Sequence, residues 1–174
     1  MVVGMVAGTL SSDSELPVVV TTGEPAGIGP ELMLLLAAQG ILPAGTVAIG
    51  DPDMLRQRAA ALGLSVTVIE CSPGEYPSSP HGLPVWPVAL NQPATPGVLN
   101  PVNADYVLAT LALAVDACQK GQAAAMVTAP LHKGVIIEGG HPSFTGHTEW
   151  LCDACGVDEV VMMLATDTAL HAAS

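Results

Sequence analysis

Four short apolar runs constrain this chain most: "LPVVVTT" (16–22), "TVAIG" (46–50), "SVTVIE" (65–70) and "AAAMVTAP" (123–130). They are apolar throughout rather than alternating, the pattern of strands buried on both faces. Helical stretches separate them. One runs from about Pro30 to Gln39, since Pro costs nothing at a first helical turn, and Gly40 stops it. Asp51 caps a second through about Leu62, with Gly63 ending it. In "NADYVLATLALAVDACQKG" (103–121), Val107, Leu108, Leu111, Val115 and Cys118 recur at helical spacing and Gly121 closes the helix. Residues 71–103 are Pro-, Ser- and Gly-rich, with one or two short strands at "LPVWPV". "HTEWLCDAC" reads as helix and "EVVMMLAT" (159–166) as a buried strand. This alternation predicts an α/β fold, a parallel-type sheet with helices on both faces. Residues 1–15 read as a loose leader, and 16–174 as one domain with no internal repeat or linker.

The bulk numbers narrow the function. Half the residues are hydrophobic but only 3% aromatic, so Val, Leu, Ala, Ile and Met must build the core. Net charge is −12, with Arg56, Arg58, Lys120 and Lys133 the only basic residues. Nucleic-acid and anionic-membrane surfaces need clustered Lys or Arg, so both are excluded as partners. An anionic substrate would meet few cations here, which gives Lys133 weight. The N-terminal "MVVGMVAGTLSSDSELP" lacks a basic signal-peptide region, and no apolar run reaches membrane-spanning length. The expected location is cytoplasmic, with Cys71, Cys118, Cys152 and Cys155 as thiols. Cys152 and Cys155 form a CxxC, open to zinc or redox chemistry. No second CxxC accompanies it, so two small buried helix residues are the favoured reading.

"VTAPLHKGVIIEGGHPSFTGHTEW" (127–150) holds three of the five His and one of the four basic residues: His132, Lys133, His141 and His147. It reads as a loop-like segment, with Thr145, Thr148 and Glu149 alongside. Lys133 could bind phosphate or carboxylate. His147 could bind substrate, shuttle a proton or ligate metal. Thr148 opens a helix and could meet an anion. Each is ordinary alone; the clustering points to a site. "GEPAGIGPE" (23–31) is a Gly-rich strand-to-helix turn that could cradle phosphate. It is neither a GxGxxG fingerprint nor a P-loop, and Glu24 would repel an anion, so a tight structural turn is favoured. Both stretches leave the carboxyl ends of strands, where such sheets bind ligands. Glu24 and Glu149 stay open between functional carboxylates and turn residues; a negative charge at Glu149 suits a first helical turn in any case.

Taken together, "TTGEPAGIGPEL", "VTAPLHKGVI", "GHPSFTGHTEWL" and "VVMMLAT", in this order and spacing, resemble the 4-hydroxythreonine-4-phosphate dehydrogenase family of pyridoxal-phosphate biosynthesis. The resemblance runs from about residue 16 to 168. It implies an isocitrate/isopropylmalate-dehydrogenase-like fold, a homodimer, NAD or NADP, and a divalent metal (Zn, Mg or Co). It also implies oxidation of a substrate hydroxyl to a ketone, then loss of CO2 to give an aminoketone phosphate. By motif match, His147 and Thr148 fall on substrate-binding positions. Lys133 matches the Lys after Thr-Ala-Pro and is the candidate catalytic residue. No cofactor-binding residue is assigned. The family's metal-binding His residues lie beyond Ser174, and His171 does not match one by register. "DTALHAAS" departs from the family pattern, so the expectation is a truncated, inactive N-terminal fragment. Two alternatives are a dehydrogenase of four-carbon sugar-acid phosphates (threonate or erythronate phosphate) and a non-catalytic or split-enzyme module needing a separate C-terminal half. A phosphate-acyltransferase-like protein fits poorly beside "GEPAGIGPE" and "GHTE".

Overall fold

The computed structural model describes residues 16–158, 160–165 and 170–173; the expected leader 1–15 lies outside them. Five parallel strands form the main sheet: β1 (Val18–Thr21), β2 (Thr46–Gly50), β3 (Thr67–Glu70), β4 (Gly82–Pro87) and β5 (Ala125–Thr128). Their order is β3-β4-β2-β1-β5. The helices are α1 (Gly29–Ala38), α2 (Pro52–Ala61), α3 (Ala104–Gln119), α4 (Lys133–Glu138) and α5 (His147–Cys155).

Side-chain alternation splits the strands between two cores. Val19, Val47, Ile49, Trp86 and Met126 pack with Leu111, Ala114, Val115 and Cys118 of α3 and Leu151 of α5. On the opposite face, Ala48, Leu83 and Val85 pack with Met33, Leu34 and Ala37 of α1 and with Met54, Leu55 and Ala59 of α2. Helices therefore lie on both faces, as the apolar runs predict, but "SVTVIE" is not buried on both faces: as the edge strand β3 it leaves Thr67 and Glu70 exposed and Val68 and Ile69 half-buried. The helix stops are also as read from sequence: Asp51 accepts the Met54 N–H at 2.7 Å, and Gly156 ends α5 in the left-handed conformation.

Three features differ from the sequence reading. The loop-like 127–150 segment contains α4, capped by His132, whose Nδ1 accepts the Val135 N–H at 3.2 Å. A six-residue helix with a His cap carries neither a long periodic signal nor a usual capping residue. Second, the predicted strand 159–166 is observed as β6 (Met162–Ala165). It pairs antiparallel with β7 (Leu170–Ala173) in a separate two-stranded sheet, not in the parallel one. The β7 sequence LHAA has no β-branched residue to mark it. Third, Cys152 and Cys155 are half-buried rather than buried. Cys155 packs against the α3 core, and the Cys152 thiol donates to the Val157 carbonyl at 2.9 Å.

Candidate functional site

The strand order reverses between β1 and β5. From β1 the chain crosses by α1 to β2 on one side; β5, reached through α3, lies on the other. In open α/β sheets, the crevice at such a reversal, beyond the strands' carboxyl ends, is where ligands bind. Both stretches singled out in the sequence leave the sheet at this point. Thr21 of β1 and Thr128 of β5 are register partners. One chain then turns into residues 23–29, the other into 129–147.

The two exits are tied together. The Ala129 N–H donates to the Thr21 carbonyl and the Glu24 N–H to the Pro130 carbonyl, both at 3.0 Å. Gly23 has φ +68° and lies so close to Pro130 that an added Cβ would strike its carbonyl oxygen. A Cβ at Gly29 would strike the Thr22 carbonyl and stand 2.7 Å from Ala129 Cβ. Glu24 is buried and accepts the Ala26 N–H at 3.1 Å. Arg58, 4% exposed on α2, pairs with Glu31 and donates to the Pro25 carbonyl, each at 3.0 Å. The Gly-rich stretch is therefore a turn held by its own carboxylate and by Arg58. Pro30 at the start of α1 and Glu24 buried in the turn fit the tight structural turn favoured from sequence over a phosphate cradle.

Residues missed from sequence brace the same end of the sheet. The Tyr106 hydroxyl lies 3.1 Å from Thr22 Oγ1 and accepts the Asp51 N–H at 3.2 Å. Burial pushes its pKa up to about 12, so it stays a neutral phenol. Asp51 also accepts the Leu90 N–H at 2.8 Å, and Asn103 bonds Gln92 in both directions. Only chain connectivity and the rarity of Tyr could have signalled Tyr106; the Asp51 helix-cap motif does not disclose its second partner.

After β5 the chain behaves differently. Leu131, Ile136, Phe144 and Trp150 pack with Tyr106 and Val107, drawing the "PLHKG" and "FTGHTEW" segments onto one apolar cluster. Lys133 is exposed at the first position of α4. Arg56, Arg58 and Lys120 each pair with carboxylates, so among the described residues Lys133 is the one basic side chain without an ion pair. His147 and Thr148, both half-buried, open α5. Nε2 of His147 is buried without a hydrogen-bond partner among the described residues, as are Oγ1 of Thr21 and Oγ1 of Thr128. Burial lowers the His147 pKa, so the imidazole is neutral near pH 7. No hydrogen bond joins Lys133, His147 and Thr148 among the described residues.

The other candidates have structural partners or sit apart. His132 caps α4. His141 Nε2 meets Asp105 Oδ1 at 2.7 Å, fastening the 139–146 loop to α3. Thr145 and Glu149 are exposed, and Glu149 stands in the first turn of α5. Among the described residues no three His, Cys, Asp or Glu side chains stand together as a metal set.

The family model described as pyridoxal phosphate biosynthetic protein PdxA matches residues 43–173. A 4-hydroxythreonine-4-phosphate dehydrogenase of Ectopseudomonas mendocina is 50% identical over 149 residues, 84% of this chain and 44% of that protein. The enzyme of that name from Chromobacterium violaceum is 52% identical over 147 residues, again 84% and 44%. The crystal structure of the Klebsiella pneumoniae 4-hydroxythreonine-4-phosphate dehydrogenase superposes with TM-score 0.83 at 30% identity, covering 90% of this chain and 49% of that one. That of Burkholderia phymatum gives 0.81 at 29%, covering 91% and 49%. The chain thus spans about half the length of the relatives it matches. With three quarters of its length inside the family model and the same parallel sheet as the solved structures, this chain belongs to the PdxA family.

Proposed function

We propose that this chain forms the N-terminal, substrate-binding part (residues 16–174) of a cytoplasmic, homodimeric 4-hydroxythreonine-4-phosphate dehydrogenase. The observation that carries the reading is the unpaired Lys133, with the buried, unpartnered Nε2 of His147, in segments that leave the strand reversal together. Lys133 offers the substrate phosphate or carboxylate an ammonium that no described carboxylate already holds. Thr148 offers a hydroxyl and the N–H groups of the first turn of α5. Neutral His147 exchanges a hydrogen bond with a substrate hydroxyl or oxyanion through Nε2, and adds no charge.

The reaction would be oxidation of the substrate hydroxyl to a ketone, followed by loss of CO2 from the β-keto acid. NAD or NADP, when bound, supplies the hydride acceptor. Neither that cofactor nor a divalent metal has a fitting set among the described residues: the Gly-rich turn is closed on itself, and no acidic or imidazole cluster forms. The sequence resemblance puts the metal ligands outside this chain, so no step is assigned to them.

The test joins this chain to the half of a relative that it does not match and follows NAD(P) reduction. Turnover of 4-phosphohydroxy-L-threonine, with KM raised at least ~10-fold by Lys133→Met, is expected. The 174-residue chain alone should give none. Preference for threonate or erythronate phosphate would move the substrate to the four-carbon sugar-acid phosphates. Unchanged KM in Lys133→Met would remove Lys133 from the site.

A further inference from the structure

The start of α3 touches both sides of the crevice. Tyr106 reaches the 23–29 side, with its hydroxyl 3.1 Å from Thr22 Oγ1. Asp105 and Ala104, its neighbours, face the segment that follows β5. An added Cβ at Gly139 would stand 2.3 Å from Ala104 Cβ and 2.5 Å from the Pro101 carbonyl oxygen, so the end of α4 lies directly on this turn. His141 Nε2 donates to Asp105 Oδ1 at 2.7 Å. A carboxylate only accepts, so Nε2 carries its proton whether the ring is neutral or charged.

That bond holds a particular place in the 139–146 loop. Among the described residues it is the one side-chain hydrogen bond the loop makes. His141 also organises the backbone. Its N–H donates to the Ile136 carbonyl at 3.3 Å, and its carbonyl accepts the Phe144 N–H at 3.0 Å. Phe144, buried, packs with Tyr106 and Val107. Three residues later the chain reaches His147 and Thr148. Glycines flank this stretch, Gly140 with φ +104° and Gly146 with φ +148°. A Cβ at Gly140 would meet no described atom within 4 Å, so packing does not restrain the loop there.

Energetics separate placement from stability. The Asp105 side chain is 69% exposed and that of His141 34%, and a pair so exposed adds little to global stability. Local opening of a short Gly-flanked loop is a different matter, because few other bonds oppose it. Binding groups held out of place lose their grip on a ligand even when they touch it.

We propose that the Asp105–His141 hydrogen bond is a latch that positions His147 and Thr148 for substrate. Asp105 and His141 are positioning residues and do not touch the substrate themselves. Through the first turn of α3, the latch ties the placement of His147 and Thr148 to the side of the crevice that Tyr106 braces. The proposal rests on the substrate-binding reading of those two residues and deepens it.

The experiment uses this chain fused to the half of a relative that it does not match. Asp105→Ala should raise KM for 4-phosphohydroxy-L-threonine by about 5-fold or more, with kcat within about 2-fold. Amide exchange at 144–148 should quicken by about 5-fold as well, while the unfolding midpoint moves by under ~2 °C. Asp105→Asn keeps an acceptor for the Nε2 proton and should bring KM back to within about 2-fold of the parent. Asp116→Ala breaks a second exposed pair at the far end of α3, with Lys120 at 2.8 Å, and should change none of these readings. Unchanged exchange at 144–148 in Asp105→Ala would overturn the latch. So would faster exchange with unchanged KM, or an equal loss in Asp105→Asn. A midpoint drop above ~5 °C with faster exchange throughout the sheet would also overturn it, since the pair would then be merely structural. If the parent fusion turns over none of the phosphates, the dehydrogenase reading falls, and exchange at 144–148 alone decides the latch.

Discussion

The turns that leave β1 and β5 start from paired residues, Thr21 and Thr128, yet they are built in opposite ways. The 23–29 turn uses up its own chemistry. Its carboxylate bonds its own backbone, Arg58 clamps it from α2, and two glycines sit where no side chain fits. The 129–148 segment spends its apolar residues on packing and leaves Lys133 unpaired and His147 Nε2 unpartnered among the described residues. The first is a rigid shoulder, and the second is the side of the same crevice that we propose binds substrate. Gly-rich sequence after a strand is thus weak evidence for ligand binding when a buried carboxylate already occupies the turn.

Substitutions should separate the two regions, most strongly in the shoulder. Gly29→Ala drives a methyl into the Thr22 carbonyl and Ala129 Cβ, with backbone on one side and a strand exit on the other. A cost of about 3 kcal/mol or more is expected, read from urea unfolding. Arg58→Ala leaves the Pro25 carbonyl unsatisfied and Glu31 unpaired; with Glu31 one-third exposed, about 2–3 kcal/mol is expected from the same measurement. Lys133→Met on the other side should change stability by no more than ~0.5 kcal/mol, because it breaks no contact among the described residues. A large loss for Lys133→Met, or a negligible one for Gly29→Ala, would erase the distinction.

Much of this was legible in sequence where one local rule decided the outcome. The strand "TVAIG" appears with its predicted limits, and Asp51, Gly63 and Gly156 act as helix caps and stops because capping is local. The elements that escaped lack local marks. α4 is too short to show periodicity, and β7 has no β-branched residue. Tyr106, Asn103 and Arg58 matter through partners 84, 11 and 33 residues away, and no spacing rule reaches that far. His141 and His132 stand beside His147 in sequence but have structural partners, Asp105 and the Val135 N–H. Only three-dimensional accounting of hydrogen bonds separates His147 from them.

That separation can be measured by pH. Burial places the folded-state pKa of His147 below its ordinary 6.5, so the unfolded chain takes up this proton first as pH falls. The contribution of the neutral imidazole is therefore fully present above pH 6.5 and is lost as pH drops below it toward the folded value. Histidine NMR titration should give His147 a midpoint under 6.5, and His147→Gln should flatten the acid side of the stability curve. The effect should be far smaller than that of Gly29→Ala or Arg58→Ala, since one half-buried ring is involved. It also decides how the crevice handles an anion. In the proposed site, an imidazole that resists protonation does not share an anion's charge, which would leave the electrostatics to Lys133 and direction to His147. A His147 midpoint above 6.5 would reverse that division and make His147 a second cation beside Lys133.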